Sequence, residues 1–185
     1  MWISLAVVVL SQVPECHQSG GDVACGYYCR AELDEVQCAK TPQGICTRLE
    51  RSLVCWDPPD EVRLHSPTSK PVCKAKPDDV QCGYSCLTSQ TRIACAQTPW
   101  GVCGMRHDEV ECWDPSPAVI HTFAPTNELT GAKCVTTDRG IVCGWDCKTS
   151  YRETKCAQTP KGTCTVNRGK LTCFDPPLAP VIHTP

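Results

Sequence analysis

Cysteine is the residue type with the most chemistry to offer in this chain, and there are 18 of them among 185 residues. They stand at Cys16, Cys25, Cys29, Cys38, Cys46 and Cys55; at Cys73, Cys82, Cys86, Cys95, Cys103 and Cys112; and at Cys134, Cys143, Cys147, Cys156, Cys164 and Cys173. All three sets share the spacing C-x8-C-x3-C-x8-C-x7-C-x8-C. Thiols in this number can ligate metal, act as nucleophiles or pair. Structural zinc sites favour C-x2-C knuckles, and none occurs here. No cysteine stands apart from the pattern as a nucleophile would. An even count in a regular frame therefore predicts structural disulfides, with no metal, no cofactor and no catalytic residue.

Three weaker leads accompany the cysteines. His65, His121 and His183 recur once per set, each in a Pro-containing tail, where a histidine suits a metal ligand, a pH-sensitive contact or simple packing. The C-x7-C segments read AKTPQGI, AQTPWGV and AQTPKGT. The frame CAKTPQGIC resembles the reactive loop of Bowman–Birk serine-protease inhibitors. That resemblance makes Lys40 the specificity residue, with Thr41 after it, although proline comes earlier here and Lys40 becomes Gln97 and Gln158 in the other copies. Thr-Pro-x-Gly is equally the signature of a type I or II turn. Finally, Cys134–Cys173 carries seven Lys/Arg against three acids, whereas each earlier set carries four against five. With exposed aromatics such as Trp100 and Trp145, the third set suits a polyanionic glycan or envelope surface; a solvated face is the plainer alternative.

The elements that must position these residues follow from the spacing. The C-x8-C unit occurs nine times. Two residues before its closing cysteine stand Val23, Val36, Leu53, Val80, Ile93, Val110, Ile141, Thr154 and Leu171, so a period of two gives each unit one apolar face that includes the cysteine. Eight intervening residues fit a two-residue turn, Gly20-Gly21 most clearly, flanked by three cross-strand pairs. The two cysteines then face each other within disulfide reach. Pairing within each hairpin and pairing between neighbouring hairpins both remain open, since six cysteines allow 15 connectivities.

The predicted fold is all-β, small and disulfide-rich: three tandem modules of short antiparallel hairpins at 15–58, 72–116 and 133–177. Pro-rich linkers fall at 59–71 and 117–132, and a Pro-rich tail at 178–185, because proline removes backbone donors without offering a core to pack. Modules of about 45 residues are near the size at which disulfides must supplement a core. Residues 1–14 read as a signal-peptide remnant or an apolar tail, since MWISLAVVVL is too short to span a bilayer as a helix.

The composite pattern CGYxC…CAxTPxGxC…C[WF]DP resembles cysteine-rich tandem-repeat proteins of bacterial secretomes, and that resemblance implies secretion and repetition. A net charge of −2 gives no drive toward nucleic acid. The expectation is a non-enzymatic, extracellular or cell-surface structural or adhesive protein. Its partners are a protein or glycan surface or further copies of itself. The alternative is a multi-headed serine-protease inhibitor using Lys40.

Overall fold

The structure, a computed structural model, describes residues 13–49, 52–65 and 69–178. Each module has the same five strands. In module 1 these are β1 (Glu15–Ser19), β2 (Asp22–Glu32), β3 (Glu35–Ala39), β4 (Ile45–Leu49) and β5 (Ser52–Trp56). Module 2 has β6 (Val72–Lys76), β7 (Asp79–Thr88), β8 (Ile93–Ala96), β9 (Val102–Arg106) and β10 (Glu109–Trp113). Module 3 has β11 (Lys133–Thr137), β12 (Gly140–Ser150), β13 (Glu153–Ala157), β14 (Thr163–Asn167) and β15 (Lys170–Phe174). The first three strands of a module form an antiparallel meander, and the last two form a separate hairpin.

Every C-x8-C unit closes on itself. Cys16 faces Cys25 in the β1–β2 ladder, with Ser19 opposite Asp22 across the Gly20-Gly21 turn. The nine bonds join Cys16–Cys25, Cys29–Cys38, Cys46–Cys55, Cys73–Cys82, Cys86–Cys95, Cys103–Cys112, Cys134–Cys143, Cys147–Cys156 and Cys164–Cys173. No cysteine is free. The Cα atoms of each pair are 4.0–4.1 Å apart, the close approach expected of a non-hydrogen-bonded cross-strand pair. Each crosslink closes a short loop and contributes about 2–3 kcal/mol in the loop-entropy account.

Because these bonds lie within hairpins, something else must join one hairpin to the next, and apolar packing does so. Val36, Leu53, Ile93, Val110 and Leu171 are all under 8% exposed, and β3 packs on β5, β8 on β10 and β13 on β15. The uniform inward face expected from the period does not extend to the first hairpin of each module. Val23 is 63% exposed, and Val80 and Ile141 are only half-buried. The second and third hairpins of a module cover each other, and the first hairpin of module 3 packs on β9 of module 2.

The chain divides into two compact units, Met1–Asp57 and Pro58–Pro185. Within the second, the segments expected to be linkers are structured. Helix α1 spans Asp60–His65 and α2 spans Pro117–Phe123. Ser116 caps α2 and Pro117 opens it, a placement that costs proline nothing because the first helical N–H has no intrahelical partner. The expectation that these tails offer no core is corrected here. Val62 is fully buried, and Val119, Ile120, Phe123 and Leu129 join Trp145, Ala157, Cys164 and Leu171 in the main apolar cluster of the unit. Module 3 leaves one side of its sheets uncovered, and the tail preceding it fills that side. Among the described residues no helix is long and apolar enough to cross a membrane. The 1–12 part of the expected signal remnant, His183 and residues 179–185 lie outside the described residues.

Candidate functional site

The residues that recur in all three modules converge on one place, the turn after the fourth cysteine. In module 1 the Asp57 carboxylate accepts from the Lys40 N–H at 3.0 Å and from the Thr41 N–H and Oγ1–H at 2.8 Å each. Asp114 holds Gln97 and Thr98 in the same way, and Asp175 holds Gln158 and Thr159. The turn closes through Gly44 N–H to the Thr41 carbonyl, at 3.0 Å. A Cβ on Gly44 would lie 2.4 Å from the Asp57 carboxylate and 2.6 Å from the Ala39 methyl, so only glycine admits the clamp. Upstream, a Cβ on Gly26 would lie 2.4 Å from the Ala39 carbonyl. The ladder bulges just beyond the aromatic, between Tyr27 and Arg30, Tyr84 and Leu87, and Trp145 and Lys148, with Tyr28, Ser85 and Asp146 all at positive φ. The repeated Gly26, Ala39, Thr41, Gly44 and Asp57, with their equivalents, thus belong to one interlocked corner.

This arrangement decides what the Lys40 loop can present. Ala39 is completely buried and Thr41 is 6% exposed, while the Lys40 side chain is exposed. The backbone on both sides of Lys40 is tied to the protein's own carboxylate. The Thr-Pro-x-Gly turn accounts for the loop.

The two tryptophans expected at an exposed surface are not there, and this too is a correction. Trp145 is 4% exposed. Its indole N–H donates to the Thr130 carbonyl at 3.0 Å, and its ring meets Trp113 edge-on with centroids 5.2 Å apart. Trp100 is half-buried against the same cluster and faces His65 at 6.1 Å. Tail residues of the second unit pack on both rings, which lie at different positions of their modules, because each offers a broad apolar surface.

A cleft of about 680 Å³ opens beside Trp100, lined by His65, Ser85, Asn127 and Thr130 among others. The structure brings His65 and His121 together, with ring centroids 5.8 Å apart. Burial, and then the proximity of His121, hold the His65 imidazole below its ordinary pKa. Its Nε2 is buried without a hydrogen-bond partner. Among the described residues no group of three or more His, Cys, Asp or Glu side chains is placed to hold a metal ion.

The basic character of module 3 is partly neutralised. Lys148 pairs with Asp146, Lys155 with Glu153 and Lys161 with Glu128, at 2.7–3.0 Å. Backbone donation from the Cys164 N–H, then Lys148, holds the Asp146 carboxyl below its usual range. The cations left at the surface include Arg139 and Arg152, which with Tyr151 line a second cleft of about 400 Å³. Tyr151 is 90% exposed. It was not singled out from the sequence, although its place at the tip of the β12–β13 hairpin was a usable signal. The clamping aspartates were visible as a repeat but carried no assigned role.

The chain matches no protein-family model, no curated protein sequence and no solved structure.

Proposed function

We propose that this protein is a non-enzymatic, extracellular or cell-surface component with a structural and adhesive role. One observation carries the reading: all 18 cysteines are consumed in nine self-closed hairpins. Such hairpins persist only where thiols stay oxidised, and they hold exposed strand faces on small rigid frames. Tandem presentation multiplies weak contacts without new chemistry. The adhesive surface best supported is the Arg139–Tyr151–Arg152 face of module 3. An exposed ring flanked by two guanidinium groups suits a sulfated or carboxylated glycan. Nothing in the tied-down Lys40 loop favours the protease-inhibitor alternative.

Cell fractionation with thiol alkylation, followed by retention of the purified chain on immobilised heparin, tests both halves. The reading expects an exported protein that takes up no alkylating agent, and salt-sensitive retention that Arg139→Ser with Arg152→Ser weakens at least several-fold. A cytosolic protein with alkylatable thiols would sink it. Retention unchanged in the double variant would remove this face from the account.

A further inference from the structure

The linker before module 3, 117–132, is longer than the one before module 2, 59–71. Its second half supplies one wall of the cleft beside Trp100, through Asn127, Leu129 and Thr130 among others. That stretch is fixed along its length. Asn127 N–H donates to the Ala124 carbonyl at 3.0 Å, and Glu128 N–H to the Phe123 carbonyl at 3.1 Å. Leu129 is 2% exposed, and the Thr130 carbonyl accepts from the buried Trp145 indole. Asn127 stands at φ 56°, a left-handed conformation that asparagine adopts more readily than most residues.

Trp100 lines the cleft from the clamped turn of module 2. Gly101 N–H closes that turn onto the Thr98 carbonyl at 3.1 Å, and a Cβ on Gly101 would lie 2.2 Å from the Asp114 carboxylate. The His65 ring meets the indole edge-on. Modules 1 and 3 have Gln43 and Lys161 at the position of Trp100, so this aromatic wall is particular to module 2.

The lining is polar without being charged. Among the described residues no Asp, Glu, Lys or Arg borders the cleft. Ser85, Asn127 and Thr130 are exposed along it, and among the described residues their side chains have no hydrogen-bond partner. Hydroxyl and amide groups of this kind both donate and accept. Burial, and then His121, keep the His65 ring uncharged near neutral pH.

We infer that the cleft beside Trp100 is a binding site for a neutral oligosaccharide. A sugar ring has an apolar C–H face and a rim of hydroxyls. The face packs on an indole, and the rim meets side chains that donate and accept as it does. A charged ligand would lose water here without gaining a counter-charge. The volume of about 680 Å³ falls within the roughly 300–1,000 Å³ of small-ligand sites. Because both walls are held before a ligand arrives, little ordering opposes binding. The site is separate from the Arg139–Tyr151–Arg152 face and takes a ligand without charge, so it goes beyond the function proposed above.

The experiment is calorimetric titration of the oxidised full chain with neutral tetrasaccharides of glucose, N-acetylglucosamine, mannose, galactose and xylose. Tryptophan emission is recorded in parallel. The expected result is one-to-one binding of at least one of them, with a shift in emission and little change between low and about 1 M salt, which screens charged contacts only. Trp100→Ala should weaken it at least tenfold, and Trp100→Phe less. Asn127→Gly keeps the left-handed backbone, removes the amide and should weaken binding several-fold, which covers the case in which Trp100→Ala does not fold. Intact mass, to confirm that every cysteine is paired, and far-ultraviolet circular dichroism check each variant. Retention on heparin should be the same in Trp100→Ala, so this inference and the function proposed above can fail separately. Absence of binding by every tetrasaccharide at millimolar concentration would overturn the inference. Binding that neither Trp100→Ala nor Asn127→Gly alters would do the same, and a proline-rich peptide that binds where no sugar does would assign the cleft to a peptide instead.

Discussion

Replacing Asp114 by alanine removes the clamp from module 2 and leaves all three of its disulfides in place. The carboxylate accepts three hydrogen bonds at 2.8–2.9 Å, from Gln97 N–H, Thr98 N–H and Thr98 Oγ1–H. Hydrogen bonds to a charged acceptor contribute about 1.5–3 kcal/mol each, and an unsatisfied buried donor costs about 1–3 kcal/mol. Thr98 is 5% exposed, so its donors cannot turn to water without opening the turn. Asp114 itself is partly exposed, and the three bonds share one acceptor group. The combined effect therefore falls near the low end, about 3–5 kcal/mol.

That energy belongs to local opening of residues 97–101, because Cys95 and Cys103 are anchored in different hairpins. Amide hydrogen exchange reads it directly. Protection at Gln97 and Thr98 should fall by roughly 100- to 4000-fold in Asp114→Ala, since about 1.4 kcal/mol is a factor of ten. Asp114→Asn retains an acceptor but not the charge and should lie between this variant and wild type. Thr98→Val, which removes one bond, should cost about 1 kcal/mol. A change of less than tenfold at both amides in Asp114→Ala would refute the clamp as the element that holds the turn.

Three further outcomes test the packing. Gly104 lies where β9 meets the first hairpin of module 3, and a Cβ there would sit 2.6 Å from Ile141 Cγ2 and 2.8 Å from Cys134 Cβ. Gly104→Thr, the residue found at the matching positions 47 and 165, should cost about 1–3 kcal/mol by overpacking. It should also lower the melting temperature by calorimetry and weaken the Arg106–Asp138 and Thr136–Met105 hydrogen bonds across that seam. Ile120→Ala empties a site that is 1% exposed and should destabilise the second unit by about 2–5 kcal/mol in denaturant titration. His65 is held below its unfolded pKa of about 6.5 by burial and by His121. The unfolded state therefore binds the proton more readily. Stability rises with pH up to that value and is lost as pH falls from 6.5 toward the folded pKa. Melting between pH 5 and 7.5 should show this slope, and His65→Phe should flatten it.

Much of this architecture was legible because cysteine spacing is itself geometry. Eight residues between paired cysteines leave room for one tight turn and three cross-strand pairs, and period two then settles which neighbours share the buried face. Three tandem all-β modules follow from those constraints alone. Disulfide connectivity did not, since local and crossed pairings satisfy the same spacings; the strand register decided it by setting each pair of Cα atoms 4.0–4.1 Å apart. The Asp57, Asp114 and Asp175 clamps were equally hidden. Their partners lie 16 or 17 residues earlier, and only folding a hairpin back brings them to hydrogen-bonding distance.

The tails show the opposite limit. Proline in 59–71 and 117–132 signals broken backbone pairing, which is true locally and silent about burial. Whether Val62, Val119, Ile120 and Phe123 meet solvent or a core depends on the bare face of the next module, a surface that exists only after three hairpins have packed. The same reason moved Trp145 from an expected contact surface to the interior. A sequence states how apolar a residue is, and the tertiary structure decides which face is left for it to cover.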